Sequence, residues 1–190
     1  MRSHGVLLFL LGAAAAVAAP EGITLSLSPE HGVTRIVATG KPEGEKIRAT
    51  APGPQGELQV TDKGVRGRLR FALEGITTAN PNLDRLMKLR FLGIHDFPQA
   101  VFQLRSVTLP SGFPASDFDR EAIPFSGMMN LHGRRHSVNG KLRLKRDGRR
   151  YSAVAEFPLQ FSDYGIDTPR IEGTTLVDRV EVSVTFTSGD

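Results

Sequence analysis

The sequence of 190 residues contains no cysteine and no tryptophan. Without cysteine it has no disulfide bond, no thiolate metal ligand, no thiol nucleophile and no thiol for lipidation. Burial and hydrogen bonding alone must therefore stabilise the fold, without the disulfides that many exported domains of this size use. An acidic excess is also absent, since 24 Lys and Arg residues against 20 Asp and Glu give a formal net charge of +4.

No apolar run is long enough to span a bilayer. The longest, VLLFLLGAAAAVAA from Val6 to Ala19, has 14 residues, against the roughly 20 that a transmembrane helix needs. Arg2 precedes it and AVA at 16–18 is a small-residue cleavage motif, so we predict a signal peptide over residues 1–18. The mature domain would span residues 19–190, in the periplasm or secreted. There the basic balance favours anionic lipid, polysaccharide or phosphate partners over nucleic acid.

Alternation of apolar and polar residues predicts antiparallel β structure through most of the chain. Leu69, Phe71 and Leu73 share one face of the segment GRLRFALEG. Similar patterns occur over residues 23–27 and in RVEVSVTF. The strongest case is RYSAVAEFPLQFS, whose inward face would comprise Tyr151, Ala153, Ala155, Phe157, Leu159 and Phe161.

Two segments depart from this alternation. Residues 40–56, GKPEGEKIRATAPGPQG, contain three prolines and four glycines, which predicts mostly loop with at best a short strand at 47–50. NPNLDRLMKLRFLG predicts one short helix, with an asparagine N-cap and an end near Gly93. Its apolar residues fall close to helical spacing at Leu83, Leu86, Met87 and Phe91.

One helix beside about eight half-apolar strands leaves two architectures open, a β-sandwich and a closed barrel. Either would bury the apolar faces and limit exposed strand edges. A small barrel of that strand number can hold one ligand inside. Alternation alone does not choose between them.

His95 and Asp96, adjacent in FLGIHDFPQAVF, are the first candidates for catalysis. A base and its orienting carboxylate must meet, and neighbours on an extended segment point in opposite directions. The sequence also has no G-x-S-x-G elbow and no cysteine nucleophile. We therefore expect an exposed connection between helix and strand, and predict that the protein is not an enzyme; an enzyme using this pair is the alternative.

His132 and His136 in LHGRRHSV have the i, i+4 spacing that binds metal on a helix. Gly133 stands where the metalloprotease motif has glutamate, and the flanking alternation favours a hairpin turn between the histidines. Structural zinc sites need four ligands, and no thiolate is available to supply them. We predict no metal and no cofactor.

Basic residues cluster between positions 134 and 150. Lys141, Arg143 and Lys145 alternate with leucines, as on the solvated face of a strand. The same charges would also dock an anionic membrane or a phosphate head group. RNA binding would require interleaved aromatics, which are absent before Tyr151. The cluster comprises Arg134, Arg135, Lys141, Arg143, Lys145, Arg146, Arg149 and Arg150.

Phenylalanine and methionine recur on the apolar faces. The sequence has 11 phenylalanines, and Met128 and Met129 are adjacent. Such residues form the ordinary core of most proteins, but flexible methionines also suit an adaptable cavity lining. Composition leaves both interpretations open.

Four segments occur in a distinctive order between residues 67 and 186. LEGITTANPNLDRLMKLRFLGIHDFPQAVFQLRSV contains a strand, a threonine turn, a helix ending in Phe-Leu, and a strand with Pro98 and Phe102 in Pro-x-x-x-Phe spacing. FSGMMNLHGRRHSV is similar to a G-x-L-x-L-x-G-x-x-x-x-V hairpin, from Gly127 to Val138. FPLQFSDYGIDTP and VDRVEVSVTF close the series. This order resembles the YceI-like family of exported lipid-binding proteins.

The helix departs from the pattern of that family. The family commonly has R-D-x-H-(L/M), whereas LDRLM keeps Asp84 and Met87 but places Leu83 and Leu86 at the arginine and histidine positions. A head-group contact made by those polar residues would be absent from this chain.

The resemblance implies a mainly β fold: an eight-stranded antiparallel lipocalin-like β-barrel with one short inserted helix. It also implies a tunnel for a polyisoprenoid or other long-chain lipid, which burial at roughly 25 cal/mol per Å² would hold without a motif. The alternative is a non-enzymatic envelope-stress or surface interaction module whose barrel is filled with its own side chains. The expected ligand-binding residues are Phe71, Leu73, Leu86, Met87, Phe91, Phe102, Met129, Phe157 and Phe161.

Overall fold

β-Strands make up most of the molecule. The structure is a computed structural model, and it describes residues 22–41, 44–61, 64–109, 117–168, 170–171 and 173–188. The signal peptide predicted for residues 1–18 lies outside this part of the chain. Within it, one α-helix, a π-helical turn and eleven strands occur, with short 3₁₀ helices over Pro29–His31, Leu73–Gly75 and Ser162–Tyr164. The strands are β1 Ile23–Leu27, β2 Gly32–Lys41, β3 Lys46–Pro52, β4 Gln55–Thr61, β5 Gly64–Ala72, β6 Gln99–Val107, β7 Phe118–Leu131, β8 Arg134–Asp147, β9 Arg150–Gln160, β10 Arg170–Ile171 and β11 Thr174–Ser188.

All described strands belong to one antiparallel sheet, in the order β1-β4-β5-β6-β7-β8-β9-β11-β2-β3, with β10 paired to β11. The sheet curls into a half-barrel with its apolar face inside. At the β3 edge, Thr50 and Thr77 exchange two backbone hydrogen bonds of 2.8 Å, which join this edge to the chain following β5. The mainly β class is confirmed and the sandwich is not formed; the described strands number eleven where eight were expected.

β9 shows how local alternation specifies the sheet. Tyr151, Ala153 and Phe157 are buried, whereas Glu156 and Gln160 on the opposite face are exposed. Residues on one face of a strand repeat every second position, so this order turns most apolar side chains inside, while Val154 and Pro158 stay on the outer face with Glu156. The predicted inward face of β9 is confirmed.

The segment rich in proline and glycine is more ordered than its composition predicts. The expectation of mostly loop over residues 40–56 is wrong, because β3 pairs with β2 over seven residues and β4 begins soon after it. Ile47, Ala49 and Ala51 face inward, and small alanines made their alternation inconspicuous. Pro52 is the last residue of β3, an edge position where the missing N–H is tolerated.

The predicted helix forms where expected. α1 spans Pro81–Leu86 and continues as a π-helical turn over Met87–Phe91. The side chain of Asn80 accepts hydrogen bonds of 3.1 and 3.2 Å from the backbone N–H groups two and three residues ahead, which is an N-cap. Gly93, with φ 54°, adopts the left-handed conformation just beyond the end. No helical segment in the described part of the chain has the length and hydrophobicity needed to cross a bilayer.

Asp84 ties this helix to the turn that precedes it. Its Oδ2 accepts a hydrogen bond of 2.6 Å from the Thr77 hydroxyl, and its Oδ1 accepts bonds of 2.6 and 2.7 Å from the hydroxyl and the backbone N–H of Thr78. Burial opposes ionisation of the carboxyl, but these hydrogen bonds outweigh it and hold the pKa of Asp84 below its ordinary value. Since Thr77 also pairs with Thr50, one turn anchors both the helix and the sheet edge.

Candidate ligand-binding cavity

The curled sheet encloses an apolar cavity beneath the helix, which we call the wide cavity. It measures about 140 Å³ when counted to the centres of water-sized molecules. Side chains from β2, β3, β5, β6, β7, β9 and β11 contribute to its wall. Apart from Thr34, Gln160 and Tyr164, every described lining residue has a hydrocarbon or thioether side chain. A wall of this chemistry favours an apolar occupant.

The helical segment supplies one side of the wide cavity. Leu83, Met87 and Phe91, each four residues apart, line it. Leu86, a predicted ligand-binding residue, is not among the lining residues, because it directly precedes Met87 and is turned by about 100° from it around the helix axis. Leu83 is the position at which the family commonly has arginine, so the helix presents only apolar side chains to the cavity.

A second apolar cavity, the narrow cavity, lies at the opposite end of the sheet. It measures about 80 Å³ by the same criterion. Inward residues of β1, β4, β5, β6, β7, β8, β9 and β11 line it, among them Leu58, Leu144, Tyr151 and Phe186. The interior is therefore divided into two spaces along the strands.

The predicted lining residues separate between these two spaces. Phe102 lines the narrow cavity. Phe71, Leu73, Met87, Phe91, Met129, Phe157 and Phe161 line the wide cavity. Their contact with a ligand stays a prediction.

The sequence interpretation missed the small residues that make room in the wide cavity. Ala38, Ala49 and Ala100 are buried in its wall, on three different strands. Each occupies an inward position on its strand. The alternation of apolar and polar residues that marks such positions is easier to recognise when the apolar residue is bulky than when it is alanine.

A layer of three phenylalanine rings lies between the cavities. Phe102 and Phe157 are nearly parallel, with interplanar angle 11° and centroids 6.4 Å apart. Phe125 meets each of them edge-on, at 87° and 6.0 Å. Parallel offset and edge-to-face geometries are both favourable aromatic contacts.

Tyr164 closes the wide cavity beside the β7–β8 hairpin. It is 1% exposed, and burial raises the pKa of its phenol to about 12. His132 Nδ1 lies 3.1 Å from the carbonyl oxygen of Tyr164, and the ring of His136 packs edge-on against the tyrosine ring at 5.5 Å. Both histidines thus hold this turn in place.

The β7–β8 connection forms the predicted hairpin, but its turn includes His132 instead of lying between the two histidines, and His136 belongs to β8. Its two-residue turn is His132-Gly133, with φ values of 51° and 74°. Two consecutive residues with positive φ suit the twist of a tight hairpin. Within the described residues, no three His, Cys, Asp or Glu side chains are grouped closely enough to hold a metal ion.

His95 and Asp96 lie in an exposed turn, as expected, and neither lines a cavity among the described residues. Their side chains are 95% and 75% exposed. The expectation that they point apart is wrong: the segment turns, and His95 Nδ1 lies 3.1 Å from Asp96 Oδ1. A pair this exposed is surrounded by solvent.

The basic cluster of residues 134–150 extends along the whole of β8. Arg134 and Arg135 begin the strand beside the wide cavity, whereas the other six charges lie toward the narrow cavity. Arg143 pairs with Asp119 and Glu121, each at 3.1 Å. Lys141, Arg143 and Lys145 lie on an exposed strand face. This exposure agrees both with a solvated strand face and with a surface that docks an anionic membrane or head group.

The sequence matches the YceI-like domain over residues 26–188, and the chain belongs to this family. Its structure is similar to a polyisoprenoid binding domain from Saccharophagus degradans implicated in plant cell wall breakdown. That match has 13% identity and a TM-score of 0.68, and it covers 87% of this chain and 97% of the other. No curated protein matches this sequence.

Two further structures show the same fold. One is BcnA of Burkholderia cenocepacia, with 11% identity and a TM-score of 0.64, covering 81% of this chain and 95% of the other. The second is a mutant YceI protein of Campylobacter jejuni with a monobromobimane guest, with 12% identity and a TM-score of 0.55, covering 97% and 99%. At these identities the likeness concerns the fold.

Proposed function

We propose that the protein is an exported, non-enzymatic lipid-binding protein that holds a polyisoprenoid-like chain in the wide cavity. The observation that carries this proposal is the cavity itself, with its almost wholly apolar wall. The membership of the YceI-like family and the fold shared with a polyisoprenoid binding domain support the same lipid class. The predicted signal peptide supports a periplasmic or secreted location.

An isoprenoid chain suits this wall because both are apolar. Burying each Å² of apolar surface contributes roughly 25 cal/mol, so an extended chain is held by area without directed bonds. Flexible side chains at the helix, such as Met87, adapt to a branched ligand. Tyr164 is the one titratable group among the described lining residues, and burial keeps its phenol neutral. This lining supports binding more than acid-base chemistry.

The proposal also concerns the partners of the basic cluster, which would be the head group of the ligand or an anionic membrane. Basic residues of the cluster at 134–150 would meet such a charge from the outside of β8. Arg134 and Arg135 lie at the end of the strand beside the wide cavity and would meet the head group of a lipid bound there. The remaining charges of the cluster would face a membrane surface.

The test is to purify the protein without detergent, extract it with organic solvent and analyse the extract by mass spectrometry. Delipidated protein is then offered a radiolabelled isoprenoid alcohol, and uptake is measured by gel filtration. We expect a copurified lipid and saturable uptake. Repeated absence of both would reject lipid binding and favour the interaction module with a filled barrel.

A further inference from the structure

On several strands, one inward-facing residue lines the wide cavity and the next inward-facing residue along the same strand lines the narrow cavity. On β9, Phe157 lines the wide cavity while Ala155, two residues earlier, lines the narrow one. The same change occurs on β5 between Phe71 and Leu69. On β11, Val184 is buried between the residues of the two cavities and lines neither. A single layer of side chains therefore separates the spaces.

Three aromatic rings form the centre of this layer. Phe157 faces the wide cavity, and Phe102 and Phe125 face the narrow one. The three residues are buried, and each ring contacts the other two in the aromatic geometries described above. Their strands, β6, β7 and β9, place them around one level of the half-barrel.

Two glycines leave room for two of these rings to pack against the sheet. A Cβ atom on Gly127 would lie 2.2 Å from Cζ of Phe102, and one on Gly140 would lie 2.6 Å from Cζ of Phe125. Each ring thus occupies the space that a side chain of the neighbouring strand would fill. With the backbone on one side and a second ring on the other, the rings have little room to rotate.

We propose that Phe102, Phe125 and Phe157 form a fixed wall that sets the length of lipid chain the protein buries. The wide cavity is lined from Phe157 on β9 to Phe161 just after the strand, which is four residue steps or at most about 13 Å. The narrow cavity continues from Ala155 to Tyr151 beyond the wall. This inference rests on the proposed function and names its ligand class: a short isoprenoid, or the first part of a long one.

The first test compares isoprenoid alcohols of increasing length, from geraniol through farnesol and geranylgeraniol to dolichol, by competition for a bound fluorescent lipid. In wild-type protein, affinity should rise with length until the wide cavity is filled and then level off. In the Phe102→Leu/Phe157→Leu double variant, preference for the longest alcohol over farnesol should increase by at least about tenfold, or 1.4 kcal/mol. The matched control is Phe97→Leu, whose ring packs on His132 and lines neither cavity.

A second measurement uses wild-type protein alone, in case the double variant does not fold. Farnesol and a longer polyprenol, each with a diazirine at the end far from the hydroxyl, are bound and photolysed, and the labelled peptides are mapped. We expect farnesol to label wide-cavity residues such as Phe157 or Met129. Labelling of Phe186 or Tyr151 by the longer analogue would overturn the wall, since these residues lie beyond it.

The outcomes separate the wall from the function on which it rests. Affinity that rises steadily to dolichol in wild-type protein, or a folded double variant with the wild-type preference, would overturn the wall and leave lipid binding intact. Failure to bind an alcohol of any length would reject the proposed function itself.

Discussion

The ring of Phe102 occupies the space above Gly127. The two residues are on adjacent strands, and Phe102 pairs with Met129, two positions along from the glycine. Besides the ring atom at 2.2 Å, a Cβ on Gly127 would meet the carbonyl oxygen of Gln103 at 2.7 Å. The strand of Gly127 therefore has no side chain at this position, and the aromatic ring of the neighbouring strand fills the space.

Gly127→Ala should destabilise the fold by about 1–3 kcal/mol, because the added methyl overpacks a buried site that cannot shift without moving backbone. Urea unfolding followed by circular dichroism measures this. Gly148→Asn is the matched control: no atom lies within 4 Å of its Cβ position, and asparagine tolerates the φ of 62° found there. Equal stability of wild type and Gly127→Ala would contradict the close packing of Phe102 against this glycine.

Asn80→Ala should lower the free energy of unfolding by about 1 kcal/mol, since the cap of the helix would be lost and two backbone N–H groups left without their acceptor. The control is Asn82→Ala, whose side chain takes no part in that cap. Chemical denaturation of the three proteins compares them. If both alanine variants lose the same stability, the Asn80 cap is not the cause.

Asp84 should make stability depend on acid pH. Its pKa is lower in the folded protein than its ordinary value, so it contributes stability that is present above about pH 4 and is lost as the pH falls through the folded pKa. Asp84→Asn removes this titration. Urea unfolding at a series of pH values should show wild type losing more stability than the variant between about pH 5 and pH 2. Parallel curves would show that the Asp84 hydrogen bonds make no net contribution.

Ala49→Leu should reduce lipid uptake at least about tenfold, because the larger side chain takes space from the wide cavity. The cavity accommodates the added atoms, so thermal stability should not fall. Ala153→Leu makes the same change at a buried alanine of the narrow cavity. Uptake of labelled farnesol by the three proteins, with a thermal melt of each, distinguishes the cavities. Equal losses in both variants would show that the effect is not confined to the wide cavity.

Replacing Lys141, Lys145 and Arg150 by glutamine should weaken association with vesicles containing anionic lipid, and the remaining association should depend less on salt. The control triple replaces Lys41, Lys46 and Arg48, which are exposed on β2 and β3, on another part of the sheet. Vesicle co-sedimentation at several ionic strengths gives the comparison. If both triples bind alike, the basic face of β8 is only a solvated strand.

Local pattern predicts the elements whose signal is contained in a few neighbouring residues. The alternation of β9 and the Asn80 cap are of this kind, and both are confirmed by the structure. The composition of residues 40–56 hides β3, because the prolines and glycines that predict a loop lie at the end of the strand or outside it. His95 and Asp96 contact each other because the backbone turns there. The prediction that they point apart assumes an extended segment.

The division of the interior could not be predicted from the sequence. Phe102 and Phe157 lie on β6 and β9, three strands apart in the sheet. Whether their rings meet depends on the register of every strand pair between them, and a shift of one residue would turn each side chain to the other face. Composition predicted phenylalanines in the interior, but only the assembled sheet shows which of them line a space and which close it.

The Thr50–Thr77 bridge gives the half-barrel a seam. β2 and β3 are held by seven residue pairs, whereas in the described part of the chain one bridge joins β3 to the segment after β5. Parting the wall at the seam breaks two backbone hydrogen bonds and leaves the rest of the sheet paired. The Thr77 hydroxyl also donates a hydrogen bond to Asp84, so opening the sheet at this seam would also release the turn that holds the start of the helix.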